Sequence, residues 1–394
     1  MNILVASDAF KGSLTSRQIG RIVQETLTDH HIKIVPVADG GEGMLQAMGQ
    51  VLDTRTVELE LCDPLGRPVL GQYLLSQDGR MAIIESAVAN GLGHLEAHEK
   101  NPMITSTFGV GQLIDHAIQS GAVHLVVGIG GSSTNDCGLG MLEALGVTFY
   151  DRAGKGIEGL TGGHLARVAS FDLKAFHKRI DGIRFDIACD VDNPLLGPRG
   201  ATYTYGPQKG ATVDMLTWLE EAMAHFAGIV EKQVQEQSPV SVHDQVPGGG
   251  AAGGLGYCFH HFFGAKLKSG IDLVLDALGF NKSLADCDLI ITGEGKIDHQ
   301  TAMGKVVKGV GERAKVIGKP LVAICGQVEG RRGQLKEELG FQGLFAVVPE
   351  VATLEASLKD PAGCLRKLIT QQVGPWLTQF ENDKARRVEG NDRK

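Results

Sequence analysis

The sequence predicts an α/β protein of two domains: a parallel-sheet domain built from two separate chain segments, and a mixed α/β domain inserted between them. Three observations carry this. The chain opens with two strand-then-helix units, and that rhythm returns near Asp288. From about residue 55, short alternating segments joined by turns read instead as antiparallel hairpins. The length, 394 residues, suits two or three domains of roughly 100–200 residues each. The expected boundaries are 1–60 with 282–380 for the parallel domain, 61–281 for the insertion, and 381–394 for a charged, non-periodic tail that frays. Ligands are expected in the cleft between the domains, at the carboxyl ends of the parallel strands.

Each element has its own signal. Ile3–Ala6 is a buried strand ending at Ser7-Asp8, followed by a loop through Lys11. Thr15 and Gln18 have capping-box spacing, and Ile19, Ile22, Val23 and Leu27 recur at helical spacing. A second strand, Ile32–Val37, ends in Ala38-Asp39-Gly40-Gly41-Glu42, with a helix through Leu45 and Met48. Val57–Leu61, Val69–Leu75 and Met81–Ile84 are the hairpin strands. Val110, Leu113, Ile114, Ala117 and Ile118 mark a helix, and Leu125–Val127 a strand. Asp151–Asp181 carries weak, loop-rich signals. A strand at Ile183–Ala188 follows, then a long helix capped by Thr212. Leu289–Ile291, Leu321–Ile324 and Leu344–Val348 complete the parallel domain.

Composition narrows the function. Hydrophobic content of 43% and charged content of 21% are ordinary for a globular protein. The 54 glycines exceed the usual roughly 7% and cluster at strand ends, as ligand-approaching loops do. A net charge of −8 argues against nucleic acid or an anionic membrane as the main partner. The seven cysteines form no C-x-x-C, so free thiols in a reducing cytoplasm are expected. Neither a signal peptide nor a membrane-length apolar run is apparent.

Three groups of residues could carry chemistry. The first is the loop after Leu125–Val127, with Gly130, Gly131, Ser132, Ser133, Thr134, Asn135 and Asp136 leading into a helix start. Strand, glycine-and-hydroxyl loop, helix is a geometry that presents N–H groups to an anion. The second is a set of acidic residues at four strand ends: Asp8, Asp39, Asp190 with Asp192, and Glu294 with Asp298. Acidic residues favour such turns in any case, but gathered at one site they could hold Mg²⁺ and accept a hydroxyl proton. The third is the lysines beside them, Lys11, Lys209, Lys296 and Lys305. Gly248, Gly250 and Gly253 satisfy G-x-G-x-x-G without a convincing strand before them, so close packing and ligand binding are evenly matched there. There is no Walker A sequence and no H-E-x-x-H, and Ser132 lies outside any G-x-S-x-G.

The motifs Ser7-Asp8-Ala9-Phe10-Lys11-Gly12, Val37–Gly43, Gly130–Asp136, Cys189-Asp190-Val191-Asp192-Asn193-Pro194, Tyr205–Gly210, Pro247–Gly256 and Ile291–Asp298, in this order, resemble the type I (bacterial) glycerate kinase family over nearly the whole chain. The chain departs from that family at Ser133 and Cys137, where Ala and Gly are common. A cysteine at 137 argues against a left-handed backbone there. The resemblance implies a flavodoxin/Rossmann-like domain joined to a second α/β domain. It also implies ATP-dependent phosphorylation of D-glycerate, with the 2-hydroxyl favoured over the 3-hydroxyl.

On that basis Asp190 is the expected base, with Lys11 and Asp8 also catalytic. Lys11, Lys209, Asp39 and Asn193 would bind substrate. Gly130–Asp136 with Glu294, Gly295, Lys296 and Asp298 would bind ATP, and Asp39, Asp192 or Glu294 would hold Mg²⁺. The sequence leaves open whether the protein is a homodimer. A dinucleotide-dependent oxidoreductase using Gly248–Gly253, with Asp272 as its acidic residue, and a non-catalytic solute-binding protein are the competing classes.

Overall fold

The computed structural model describes residues 1–10, 12–37, 44–235, 246–298, 301 and 306–391. Their strands, in chain order, are β1 (Asn2–Ser7), β2 (His31–Ile34), β3 (Thr54–Cys62), β4 (Pro68–Ser76), β5 (Met81–Glu85), β6 (His124–Gly128), β7 (Thr148–Tyr150), β8 (Gly156–Ile157), β9 (Ser170–Asp172), β10 (Arg184–Ala188), β11 (Lys266–Lys268), β12 (Leu289–Ile297), β13 (Leu321–Val328) and β14 (Gly343–Ala346). The chain divides into two compact units, Met1–Asp39 with Val274–Lys394, and Gly40–Leu273.

The first unit is a five-stranded parallel sheet in the order β14-β13-β12-β1-β2. Read from the other edge this is 2-1-3-4-5, the flavodoxin-like order, and it reverses at the β1/β12 neighbours. Helices cover a parallel sheet on both faces, so its central strands read as continuous apolar runs. Ile3, Leu4, Val5 and Ala6 of β1 and Leu289, Ile290 and Ile291 of β12 are accordingly all buried. Ile3, Val5, Leu289, Ile291, Val322 and Ile324 share one core with Ile19, Ile22 and Val23 of the helix Ser16–Thr26. Burying each such side chain contributes about 1.5–3 kcal/mol. The Thr15–Gln18 capping box is present as its spacing predicts. Thr15 Oγ1 accepts from the Gln18 N–H at 3.3 Å, and Gln18 Oε1 accepts from the Thr15 N–H at 2.9 Å.

The second unit is built on a six-stranded mixed sheet, β11-β10-β6-β5-β4-β3. The predicted hairpins β3-β4-β5 are antiparallel. β5 then pairs parallel with β6, and β6 with β10, so the hairpins are the edge of a larger sheet.

Several expectations are corrected. The unit boundary falls at 39/40, where the sequence suggested 60, because β3 starts at Thr54 and pairs along its whole length with β4. The second boundary falls at 273/274, ahead of the expected 282. Residues Asp151–Asp181 contain more order than their sequence signals: β8, β7 and β9 form a small sheet, followed by the helix Lys174–Ile180. Residues 381–391 of the expected tail belong to the helix Gly374–Asn391. Glu294 lies within β12, not in a loop after it.

Candidate functional site

In the first unit, β1 delivers Asp8 just past its last residue, and β12 carries Glu294, Gly295 and Lys296. β1 and β12 are hydrogen-bonded neighbours, with Ser7 opposite Gly293, and the Asp8 N–H donates to the Gly293 carbonyl at 2.8 Å. Asp8 and Glu294 therefore come together at the switch point of the sheet, where open α/β folds bind ligands. Both line a pocket of about 360 Å³, with Ser13, Lys296, Gln327 and Ser357 as its other polar side chains. Its remaining wall is apolar, including Phe10, Val347, Val348, Leu354, Leu358 and Pro361. Lys296 pairs with Asp298 at 3.2 Å and with Glu329, and these partners hold its ammonium pKa above the ordinary lysine value. Gly293 cannot carry a side chain, since a Cβ there would collide with the Ile324 carbonyl of β13.

In the second unit, the Gly130–Asp136 loop follows β6 as expected, but its side chains turn inward. Ser132, Ser133, Thr134, Asn135 and Asp136 are all buried. The Ser133 hydroxyl donates to the Asn90 carbonyl at 2.9 Å, Asn90 Nδ2 to Thr134 Oγ1, and Asn135 Nδ2 to Thr202 Oγ1. Asp136 accepts four hydrogen bonds: from the Thr107 N–H and hydroxyl at 2.9 and 2.8 Å, and from the N–H groups of Gly138 and Gly140 at 3.2 Å. Burial pushes its carboxyl pKa up, and those donors oppose the shift. The loop keeps two exposed glycines, Gly130 and Gly131, whose N–H groups have no partner among the described residues and can meet an anion.

Lys209 belongs to this network. It is 2% exposed, and its Nζ donates to the Thr134 carbonyl at 2.7 Å and to Ser132 Oγ at 3.2 Å. No carboxylate of the described residues lies within ion-pairing distance, and burial pulls its pKa down to about 7, against a smaller opposing pull from Asp136. A lysine expected to touch substrate thus braces the glycine loop with two of its three N–H groups.

The remaining predicted residues divide. Asp190 is exposed and accepts from the Gly270 N–H at 2.9 Å. Asp192 is exposed and pairs with Arg199 at 3.2 Å, which leaves it poorly suited to a cation. Asn193 is tied up: Nδ2 donates to the Arg199 carbonyl and Tyr205 Oη donates to Oδ1, each at 2.7 Å. Lys11, Asp39 and Lys305 lie outside the described residues. Among the described residues no group of three His, Cys, Asp or Glu side chains is gathered as for a metal.

Cys137 corrects another expectation. Its φ is 50°, a left-handed backbone that costs a non-glycine residue about 1–2 kcal/mol. Its neighbour across the packing is Gly254, where a Cβ would press on the Cys137 side chain. Gly253 likewise packs on the Thr134 carbonyl, and Gly256 on the Gly248 carbonyl. The G-x-G-x-x-G match is therefore a close-packing device under the Gly130–Asp136 loop. Asp272, its would-be acidic partner, exchanges bonds with Ser269.

A flavodoxin-like sheet with paired carboxylates at its switch point, joined in sequence to a mixed α/β unit, defines an α/β enzyme acting on a small polar ligand. The glycerate kinase family pattern matches residues 3–377, and the chain belongs to that family. It is 41% identical over 366 residues to a glycerate kinase of Bacillus subtilis, covering 92% of this chain and 94% of that one. It is 39% identical over 363 residues to the glycerate 2-kinase of Escherichia coli, covering 91% and 93%. A solved structure assigned as glycerate kinase 2 from Salmonella typhimurium LT2 superposes with a TM-score of 0.80 at 38% identity, covering 97% of this chain and 99% of that one. No helix among the described residues is long and apolar enough to cross a membrane.

Proposed function

We propose that the protein is an ATP-dependent kinase that transfers the γ-phosphoryl group to the 2-hydroxyl of D-glycerate, giving 2-phospho-D-glycerate and ADP. Membership of the glycerate kinase family supports the reaction, and the relative named glycerate 2-kinase supports the position. The observation that carries the reading is that Asp8, just past the end of β1, and Glu294 of the neighbouring strand β12 line one pocket.

Phosphoryl transfer depends on positioning and charge neutralisation more than on covalent chemistry. Mg²⁺ fits the first unit, because it is commonly held by one or two carboxylates together with substrate phosphates and waters, and Asp8 and Glu294 are two carboxylates in a pocket with room for both. When bound there it would neutralise phosphate charge. Asp39, outside the described residues, remains a further ligand in this reading, and the Arg199 pairing disfavours Asp192. Asp190 receives the glycerate hydroxyl proton: it is an exposed carboxylate, held at one oxygen by the Gly270 N–H. Gly130 and Gly131 offer N–H groups to an anionic oxygen. Ser132–Asp136 and Lys209 hold that loop in shape, and Lys11 supplies positive charge.

The test is a coupled assay for ADP release with D-glycerate, glycolate, lactate and hydroxypyruvate, followed by NMR of the product. The expected result is turnover with D-glycerate and a phosphorus coupled to the single C2 proton. ADP release with another acceptor but not glycerate overturns the substrate, and coupling to the C3 protons overturns the position.

A further inference from the structure

The pocket in the first unit has both charged and apolar lining, and the carboxylates account for only the first. Asp8 and Glu294 are the carboxylates of its lining. The same lining includes Val348, Leu354, Leu358 and Pro361. Leu354 is 54% and Leu358 69% exposed, so the short helix Leu354–Lys359 holds two leucines to solvent at the rim. Neither belongs to the core of the unit. One isolated exposed leucine needs no explanation. Two on one rim, above a cavity that also holds Phe10, form an apolar face with nothing of the described chain packed over it. Gln327 lines the same pocket, and its amide makes no hydrogen bond among the described residues.

The volume, about 360 Å³, lies at the low end of small-molecule sites, roughly 300–1,000 Å³. Glycerate is a three-carbon polyol acid with no apolar surface to set against two leucines, a proline and a phenylalanine. A ligand with a flat apolar end and an anionic, metal-binding end matches both kinds of lining, and a nucleoside triphosphate is such a molecule.

Resting on the kinase reading above, we propose that this pocket is the nucleoside subsite: the base packs on Leu354, Leu358 and Pro361, its edge meets the Gln327 amide, and the phosphates run toward Asp8 and Glu294. A side-chain amide can give and take a hydrogen bond with the amino and ring nitrogens of adenine at once.

The test uses the full chain and the double variant Leu354→Asn/Leu358→Asn. The replacements are neutral, so charge repulsion of the nucleotide cannot explain an effect, and both positions are exposed, so the fold is preserved. ADP is titrated by calorimetry, once with Mg²⁺ and once with EDTA, and KM is measured for ATP and for D-glycerate. The ADP Kd and the ATP KM are expected to rise about tenfold, as for two lost leucine contacts. The weakening persists in EDTA, and the glycerate KM stays within twofold. Gln327→Leu is expected to narrow the preference for ATP over GTP. An unchanged ADP Kd in the double variant, or a rise in the glycerate KM alone, overturns the assignment. The two readings fail separately. Turnover of glycerate with an unaffected variant sinks the subsite and leaves the kinase standing; ADP binding that the variant weakens, in a protein that does not phosphorylate glycerate, does the reverse.

Discussion

Two glycine-and-acid segments of this chain look alike in sequence and behave oppositely in structure. The Gly130–Asp136 loop folds every polar side chain from Ser132 onward into its own unit, where Asp136 alone accepts four hydrogen bonds. The Asp8 and Glu294–Lys296 segments line an open pocket instead. The lesson is one of hydrogen-bond accounting. A polar residue whose partners are all internal shapes a site, and one facing a cavity is available to a ligand.

The comparison can be broken by substitution. The largest effect is expected at Asp190. Asp190→Asn keeps an acceptor for the Gly270 N–H, so the fold should survive while kcat falls roughly 10²–10⁴-fold, the range for loss of a general base. A near-normal kcat removes Asp190 from that role.

Next comes Asp136→Ala, which strands donors on Thr107, Gly138 and Gly140 inside the unit. Urea unfolding should show a loss of roughly 3–5 kcal/mol. A loss under 1 kcal/mol would mean that the loop does not depend on this carboxylate.

Lys209 sharpens the comparison through pH. Its folded pKa, about 7, lies below the ordinary 10.5, so between those values the unfolded chain binds more protons and stability rises with pH. The stability of the native protein relative to Lys209→Met should therefore climb by a few kcal/mol from pH 7 to pH 10. A flat difference would place the ammonium in contact with water or with an anion.

Much of the architecture was legible because it rests on local periodicity. The continuous apolar runs at Ile3–Ala6 and Leu289–Ile291, the Thr15–Gln18 box and the alternation at Val57–Leu61 each state their element directly. The small sheet within 148–172 was not legible: its strands are two or three residues long, too short for any period to show. At the site, Asp8 could be anticipated from its strand end, whereas Glu294, expected in a loop, lies within β12. The inward turn of Ser133–Asp136 could not, because its partners Asn90, Thr107 and Thr202 lie far off in sequence. The left-handed Cys137 was missed for a related reason. Its compensation, Gly254, is distant in the chain and was visible only as part of a glycine run.

Calorimetric binding of Mg·ADP to Glu294→Gln and Ser133→Ala tests the contrast between the two segments most directly. The account predicts that Glu294→Gln weakens binding tenfold or more, while Ser133→Ala lowers unfolding stability by about 1 kcal/mol and leaves the nucleotide Kd within twofold. The opposite pattern, with binding lost in Ser133→Ala and intact in Glu294→Gln, would contradict it.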